Sequence, residues 1–304
     1  MYPTAARPAL GSFVRDQVEA LRRIGGVELE LFTFEAWGSP AAYPRAAREL
    51  RRAFGKTRFD VVHAHFGLTI WAALGARAHA RAVTLHGTDL AHPRSRWITL
   101  AGLPFVDLVG AVSEPLAASV PRIAVRPGAT RAVLPCGVDL GRFHPIDRER
   151  ARDRLGLEAD GPYLLFAADP ARPEKRHDRA AALAERAGGV RLLTLGEVAP
   201  EQVPLWVNAA NAVLVTSERE GFGLAALEAL ACNVPVLSTP EGIAPEALNG
   251  VAGAWCEPFD LERWASALEP HLTAVDPRIE GRAAADRYSA DRMAERVVEA
   301  WRAL

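Results

Sequence analysis

The sequence lacks any apolar run long enough to cross a membrane. Although 49% of the 304 residues are hydrophobic, charged residues interrupt every apolar stretch well before the roughly 20 residues that a transmembrane helix needs. The basic and then apolar pattern of a secretory signal is also missing from the first residues. These absences argue against an integral membrane protein and predict a soluble, cytoplasmic one.

Cysteine is scarce as well, with Cys136, Cys232 and Cys256 spread far apart along the chain. Their spacing fits neither a zinc site nor a disulfide framework, so we expect buried thiols in a reducing cytoplasm. An Asp-x-Asp pattern and an acidic cluster suited to a metal are missing too. We therefore expect neither a metal ion nor a cofactor.

Lysine is the rarest charged residue, because Lys56 and Lys175 stand against 34 arginines. Where arginine has replaced lysine almost everywhere, a remaining lysine more often has a task that needs its compact ammonium group. The charges are also unevenly distributed. Residues 1–145 contain 18 basic and 11 acidic residues, a net charge of +7, whereas the rest contains 18 and 26, a net charge of −8. The basic half favours contact with an anionic membrane surface; the alternative is scattered surface arginines.

The most informative stretch is residues 212–248. Two apolar segments, 212–216 and 234–237, are typical of strands. Between them lie a Gly-x-Gly turn, at Gly221 and Gly223, and a helix rich in alanine and leucine. A helix that starts at such a turn presents unpaired backbone N–H groups and a partial positive charge. The stretch therefore predicts a strand–turn–helix–strand unit that binds a phosphate.

Two acidic residues frame the glycine turn, Glu220 just before it and Glu228 inside the helix. Eight residues of ideal helix span about 12 Å, whereas the paired carboxylates of a glycosidase lie roughly 5 to 9.5 Å apart. A hydrolytic pair is therefore disfavoured. Two acceptors on either side of a phosphate site favour a long ligand with hydroxyl groups at both ends, such as a nucleotide sugar. The alternative is that both acids are solvated helix residues.

The segment from Glu220 to Glu228, EGFGLAALE, followed by ALACNVPV, resembles the Glu-x7-Glu motif of the family 4 retaining glycosyltransferases. This resemblance implies the GT-B fold, an α/β architecture in which two Rossmann-like domains face each other across a cleft. It implies that Glu220 accepts hydrogen bonds from the donor sugar and that Glu228 accepts them from the ribose. The donor diphosphate would contact the backbone of the glycine turn, formed by Gly221, Phe222, Gly223 and Leu224.

The resemblance continues at the N-terminus. Tyr2-Pro3, Pro8 and residues 11–14 (GSFV) match a loop that follows the opening strand in the family, and Gly11 matches the glycine near the donor phosphate. No strand precedes this loop here, so we expect the N-terminal domain to lack its first strand. After the loop, the sequence predicts a helix over residues 13–24 and a strand over residues 27–34.

An apolar strand over residues 82–85 ends at His86, within the run His-Gly-Thr-Asp. Polar residues at the carboxyl end of a parallel strand fall at the ligand crevice of an open α/β sheet. By resemblance, His86 matches the histidine that contacts the donor sugar and stabilises its developing positive charge; the alternative is a packing or surface histidine. We expect His63 and His65, on the preceding strand, to project from opposite faces and to be structural.

A second domain is predicted to open with a strand over residues 163–168, followed by a loop that contains Arg172 and Lys175. Relatives hold the diphosphate with an arginine and a lysine in this loop, because charge-assisted bonds stabilise a leaving diphosphate. Lys175 matches that pattern well. Arg172 lies closer to it than is common, in a short form similar to teichuronic-acid and other polysaccharide transferases. The alternative is a capped surface loop.

We divide the chain into an acceptor-side domain (1–145), a nucleotide-sugar-binding domain (146–288) and a C-terminal helix (289–304) that crosses back to the first domain. The resemblance implies a metal-independent hexosyltransferase that moves a sugar, with retention of configuration, from a nucleotide-sugar donor to a glycan or lipid-linked acceptor. His86 and Glu220 would be its catalytic residues. We expect peripheral contact of the basic domain with the inner membrane face, and no nucleic acid. The alternatives are an epimerase or phosphorylase on the same fold, and a truncated, non-catalytic nucleotide-sugar binder.

Overall fold

The structure is a computed structural model and describes residues 2–4, 10–36 and 39–304. The chain forms two compact units. The first consists of the chain up to residue 137 together with residues 291–304, and the second of residues 138–290. The transition at 137/138 lies before the boundary that we placed after residue 145.

The first unit contains a four-stranded parallel sheet in the order β1-β2-β3-β4. Its strands are β1 (Arg58–His65), β2 (Arg77–Leu85), β3 (Leu108–Ala111) and β4 (Thr130–Val133). Its helices are α1 (Ser12–Ile24), α2 (Ala42–Phe54), α3 (Ile70–Ala73), α4 (Thr88–Ala91), α5 (Pro93–Gly102) and α6 (Glu114–Ser119), with 3₁₀ turns at Gly67–Thr69, Leu103–Phe105 and Arg122–Ala124.

The second unit contains a five-stranded parallel sheet in the order β6-β5-β7-β8-β9. Its strands are β5 (Tyr163–Phe166), β6 (Arg191–Thr194), β7 (Ala212–Val215), β8 (Val236–Ser238) and β9 (Trp255–Cys256). Its helices are α7 (Arg148–Leu155), α8 (His177–Arg186), α9 (Val203–Ala209), α10 (Leu224–Ala231), α11 (Ala244–Ala247), α12 (Leu261–Thr273) and α13 (Arg282–Asp286), with a 3₁₀ turn at Pro173–Lys175.

The last helix, α14 (Ala290–Arg302), belongs to the first unit from residue 291 onward. It lies beside α1, where Arg23 Nη2 is 2.6 Å from Asp291 Oδ1. In α1, the residues that turn inward recur at three- and four-residue spacing, as on one face of a helix. They include Val14, Gln17 and Leu21.

The two faces of the first sheet carry different side chains. One face packs against α3, α4 and α5 through apolar residues such as Ala64, Val83 and Leu85. Because successive side chains of a strand point to opposite faces, His63 and Thr84 lie on the other face. That second face is the one that α1 and α14 cover.

The second sheet is buried along its strands, as is typical of a parallel sheet covered on both faces. Every residue of β5 and β7 is buried. Helices α8 and α12 cover one face with Leu183, Trp264 and Leu268. Full burial of one such leucine contributes roughly 1.5 to 3 kcal/mol, so this core fixes the strand ends from which the loops described below emerge.

The chain enters and leaves the second unit at neighbouring residues. The N–H of Val138 donates to the carbonyl of Tyr288 at 2.9 Å, and the N–H of Ala290 donates to the carbonyl of Val138 at 2.9 Å. These bonds form an isolated parallel bridge between Val138 and Ser289. The two ends of the second unit are therefore held side by side.

Most predicted elements are confirmed within two or three residues, but the strand over residues 27–34 is wrong. Those residues lie outside regular secondary structure, and the described residues before β1 form no strand. A strand is stabilised by backbone hydrogen bonds to a neighbouring strand. The apolar pattern of residues 27–34 is therefore not enough to make this segment a strand. No local pattern predicted β4, a four-residue strand whose side chains are half-buried or exposed.

Candidate functional site

The sheet order of the second unit places a candidate site where β5 and β7 lie side by side. From β5 the chain moves outward to β6 and then crosses back to β7, so the connections leave β5 and β7 in opposite directions. In open α/β sheets, ligands bind outside the carboxyl ends of the strands at such a switch point. The loop after β5 carries Arg172 and Lys175, and the loop after β7 carries Glu220 and the glycine turn.

Lys175 and Glu220 form a two-point ion pair at this position. Lys175 Nζ is 2.7 Å from both carboxylate oxygens of Glu220, and the two side chains are only 14% and 9% exposed. Ser217 Oγ donates a further bond to Glu220 Oε1 at 2.6 Å. The structure thus brings together the two residues for which we predicted phosphate and sugar contacts.

The glycine turn leads into α10 through a left-handed residue. Gly223 has φ 96° and precedes Leu224, the first residue of α10, a conformation that a residue with a Cβ rarely adopts. The first N–H groups of a helix have no partner within it. At the other end of α10, Arg282 Nη1 donates to the carbonyl of Ala231 at 2.9 Å and Arg278 Nη1 to that of Cys232 at 3.2 Å. Cations there complement the helix dipole, whose positive end lies at the turn.

The loop after β8 supports the turn from the next strand. The N–H of Ile243 donates to the carbonyl of Phe222 at 2.7 Å, and Gly242, with φ 63°, lies so close that an added Cβ would be 2.2 Å from the same carbonyl oxygen. Burial and the negative charge of Glu220 raise the pKa of Glu241 in this loop. The sequence pattern did not single out this loop as a support.

Two predicted donor-binding residues take other positions. Arg172 is half-exposed, and its guanidinium bonds Glu174 Oε1 at 3.0 and 2.7 Å rather than joining the ion pair. Glu228 is half-buried within α10. The roles assigned to Gly11, Arg172, Lys175, Glu220, residues 221–224 and Glu228 remain predictions.

Polar residues at the end of β7 fix the lysine loop, and sequence reasoning missed them. Thr216 Oγ1 donates to the carbonyls of Lys175 and Arg176 at 3.0 and 2.9 Å. Ser217 holds Glu220, as described above. Both residues are buried. The signal that could have found them is the Thr-Ser pair that directly follows an apolar strand.

His86 lies in the first unit, directly after β2. Its N–H donates to Asp89 Oδ2 at 2.5 Å, and the N–H of Gly67 donates to Asp89 Oδ1 at 2.6 Å, so the buried carboxylate of Asp89 ties two strand-end loops together. Burial raises the pKa of Asp89 above its usual value, and these backbone hydrogen bonds offset only part of that increase. The ring of Phe13, in the first turn of α1, lies 4.6 Å from the His86 ring. Gly11, which caps α1 with φ 75°, is thus two residues from a side chain that touches His86.

The expectation that His63 and His65 project from opposite faces is wrong. Residues two apart along a strand share a face, and the two rings stack with centroids 5.0 Å apart. Burial lowers the pKa of His63 and His86 well below the usual value, with the neighbouring histidines adding to the effect, and lowers that of His65 to about 4. The three imidazoles are therefore neutral at pH 7.

The described part of the chain contains neither a metal-binding cluster nor a membrane-spanning helix. Among residues 2–4, 10–36 and 39–304, no group of three or more histidine, cysteine or acidic residues is arranged to hold a metal ion. Within the same ranges, no helix is both long and apolar enough to cross a membrane. Metal independence remains a prediction.

Comparison with known proteins gives matches along nearly the whole chain. The family model described as Glycosyltransferase Family 4 matches residues 10–142, and that described as Glycosyl transferases group 1 matches residues 148–278. D-inositol 3-phosphate glycosyltransferases are similar to this chain. The protein from Segniliparus rotundus is 34% identical over 56% of this chain and 46% of its own length. The one from Actinosynnema mirum is 33% identical over 69% of this chain and 63% of its own length. The chain thus spans less than two thirds of either relative.

Solved structures share the fold. Sucrose-phosphate synthase from Thermosynechococcus elongatus has a TM-score of 0.69 at 18% identity, covering 96% of this chain and 92% of its own. The Anabaena protein HepE, in complex with UDP and glucose, has a TM-score of 0.68 at 18% identity, covering 94% of this chain and 89% of its own. The chain thus has the GT-B fold of these structures, and its two halves match the glycosyltransferase models of family 4 and of group 1.

Proposed function

We propose that the protein is a glycosyltransferase that moves a sugar from a nucleotide-diphosphate donor to a glycan or lipid-linked acceptor. The observation that supports this most strongly is the Lys175–Glu220 pair beside the glycine turn, at the switch point of the second sheet. A cation and a helix N-terminus suit a diphosphate, while an adjacent carboxylate accepts hydroxyl groups. The combination fits a nucleotide sugar better than a nucleotide alone.

In this proposal, Lys175 and the first N–H groups of α10 bind the diphosphate. The ammonium group has three protons, of which two are directed to Glu220, so one remains for a phosphate oxygen. Positive charge placed before the reaction stabilises the negative charge that grows on the leaving diphosphate. This is the main contribution of these residues to catalysis.

In the same proposal, Glu220 binds hydroxyl groups of the donor sugar. Its carboxylate has about four acceptor sites, and Lys175 and Ser217 use three of them, so a sugar hydroxyl can still bind. Glu228 would accept the ribose hydroxyls, and His86 would contact the sugar as a neutral imidazole. We infer retention of configuration, metal independence and a hexosyl donor from the resemblance to the family 4 glycosyltransferases. No observation favours an epimerase, which would need no acceptor and is separated by product analysis.

The donor and acceptor are proposed only by class. HepE forms a complex with UDP and glucose, which makes UDP the first nucleotide to test. The relatives are called D-inositol 3-phosphate glycosyltransferases, which adds a phosphorylated polyol to the glycan and lipid-linked acceptors that we propose. A place in polysaccharide synthesis of the teichuronic-acid type rests on the short loop at Arg172 and Lys175.

Peripheral membrane contact is supported by an exposed aromatic patch on the first unit. Trp97, Ile98 and Phe105 are 71%, 43% and 50% exposed. Trp71 contacts two of them, since its Nε1 donates to the carbonyl of Ile98 at 3.2 Å and its ring lies 5.9 Å from that of Phe105. Arginines at 94 and 96 precede the patch on α5. Aromatic side chains flanked by cations suit an anionic lipid surface in the cytoplasm.

The test is calorimetric titration of the full chain with UDP, GDP and ADP. We expect one nucleotide to bind, Lys175→Ala to weaken it at least tenfold, and Glu228→Ala to weaken it through the ribose. Lys56→Ala is the matched control, because Lys56 is exposed and is the second of the two lysines. If the folded wild type binds no nucleotide, the proposal fails. If Lys56→Ala weakens binding as much as Lys175→Ala, the assigned phosphate site is wrong.

A further inference from the structure

Three imidazole rings form a row on the face of the first sheet that α1 and α14 cover. The ring centroids of His63 and His65 are 5.0 Å apart, and those of His65 and His86 are 5.4 Å apart. The indole of Trp301, on α14, closes one end at 5.6 Å from His63. Phe13 closes the other end at 4.6 Å from His86. We call these three histidines the imidazole row.

Trp301 determines where the proton of His63 lies. An indole N–H can only donate, and Trp301 Nε1 lies 2.8 Å from His63 Nδ1, so His63 Nδ1 must carry a lone pair. The ring proton of neutral His63 is then on Nε2, which lies 2.8 Å from Thr84 Oγ1 and donates to it. His63 is therefore fixed in one tautomer with both nitrogens engaged.

A second nitrogen-to-nitrogen contact joins His65 to His86. His65 Nδ1 and His86 Nε2 are 3.2 Å apart, and between two neutral imidazoles one nitrogen donates while the other accepts. Protonation on Nε2 is the commoner tautomer of free histidine. If both rings have that tautomer, His86 Nε2–H donates to the lone pair on His65 Nδ1. His86 is then left with a lone pair on Nδ1.

We propose that His65 is a positioning residue for His86, which accepts the Nε2 proton of His86 and thereby keeps a lone pair on His86 Nδ1. The use of that lone pair rests on the proposed transferase function, whereas the tautomer does not. A lone pair beside a sugar carbon that develops positive charge stabilises it, and an N–H in the same place would oppose it. His65 acts only through His86 and touches no substrate.

The packing around the row is what makes the tautomer a fixed property. Burial keeps the rings neutral, as described above, so no ring gains a second proton at pH 7. The nearby carboxylate of Asp89 accepts the backbone N–H groups of His86 and Gly87, at 2.5 and 3.1 Å, and so positions the turn without bonding the imidazole. The only property left open is the tautomer of His86, that is, which ring nitrogen carries its single proton. The hydrogen bond to His65 determines it.

The direct test is nitrogen NMR of the full chain labelled at its histidine rings, since the chemical shift distinguishes a protonated ring nitrogen from one with a lone pair. At pH 7 we expect all three rings of the row to be protonated on Nε2. His65→Leu should release His86 to a mixture of tautomers like that of the exposed His79. His65→Asn places an amide oxygen near the position of Nδ1 and should keep His86 protonated on Nε2. A wild-type His86 protonated on Nδ1, or an unchanged tautomer in His65→Leu, overturns the proposal.

Turnover provides the second readout, measured as release of the nucleoside diphosphate that calorimetry identifies from the matching sugar donors. We expect His65→Leu to lower kcat at least tenfold with KM within twofold, His65→Asn to recover most of the loss, and His79→Leu to match the wild type. Equal losses in both His65 variants would contradict positioning through a hydrogen bond. If the wild type neither binds nor turns over any donor, the proposed function fails, while the NMR result still decides the tautomer.

Discussion

Replacing Lys175 by methionine should destabilise the second unit and weaken nucleotide binding, for two separable reasons. Methionine approximates the unbranched stem of lysine and removes the ammonium group. Glu220 keeps its bond from Ser217 but loses both 2.7 Å contacts from Lys175, and its side chain remains only 9% exposed. The variant therefore leaves a carboxylate in a mostly buried position without a counter-ion.

The expected loss of stability can be bounded. Removing one partner of a fully buried ion pair costs about 3 to 5 kcal/mol. The remaining Ser217 bond and the residual exposure reduce this, and we expect about 2 to 3 kcal/mol for Lys175→Met. Glu220→Gln should cost about as much, because it leaves the ammonium of Lys175 without its counter-ion. The double variant has no unpaired charge, so its loss should be about 1 kcal/mol, which gives a coupling of about 3 kcal/mol or more between the two residues.

Urea unfolding followed by circular dichroism measures these differences, and UDP titration measures the second effect. Binding should fall at least tenfold in Lys175→Met, about 1.4 kcal/mol, and should stay low in the double variant although stability returns. Purely additive losses of stability would show that the ion pair contributes nothing in solution. Wild-type affinity for UDP in the double variant would show that the ammonium does not contact the phosphate.

The remaining predictions concern other parts of the chain. The pKa of His65 is lowered to about 4 in the folded protein, so His65 is protonated in the unfolded chain first as the pH falls below about 6.5. The free energy of unfolding should therefore drop by about 2 to 3 kcal/mol between pH 7 and pH 4 for this residue alone. In urea titrations, His65→Asn should reduce this dependence of stability on pH. Gly242→Ala should cost about 2 to 4 kcal/mol and weaken nucleotide binding, because its Cβ would be 2.2 Å from the carbonyl oxygen of Phe222; Gly250→Ala, at a similar φ of 75° with nothing within 4 Å, should cost only about 1 kcal/mol. A Trp97→Ser, Phe105→Ser double variant should lose at least half of its sedimentation with vesicles that contain phosphatidylglycerol, whereas Ile123→Ser, at a residue that is 97% exposed, should sediment like the wild type. Sedimentation that is equally strong with neutral vesicles would contradict the role given to the arginines.

Strong local patterns made most of the fold predictable. The apolar runs that became β5 and β7 and the periodic helix α1 each carry a signal within a dozen residues, and the helix–strand alternation gives the α/β class. The failed strand over residues 27–34 has a comparable apolar pattern, yet pairing depends on a neighbouring strand that no local pattern encodes. For β4 the reverse holds, since Arg131 and its neighbours look like a loop but extend the sheet beside β3.

The residues of the candidate site could be predicted from the sequence, but the hydrogen bonds and ion pairs between them could not. Glycine spacing and the scarcity of lysine pointed to residues 221–224 and Lys175. The direct bond from Lys175 to Glu220 joins residues 45 positions apart, and only the sheet order brings their loops together. For the histidines, the rule of alternating faces would have placed His63 and His65 together. The bond from Trp301 to His63 spans 238 positions and lay beyond any local argument.

The bridge between Val138 and Ser289 has a practical consequence. Because the first and last residues of the segment 138–290 are already hydrogen-bonded neighbours, the segment is a nearly closed ring in topological terms. A short glycine linker could join these ends, and new termini could be opened in an exposed loop elsewhere, such as the one at Gly188 and Gly189, with little change in the entropy of closure. A circularly permuted segment of this kind would place the proposed nucleotide site inside a host protein whose two attachment points lie side by side, which is a starting point for a sensor of nucleotide sugars.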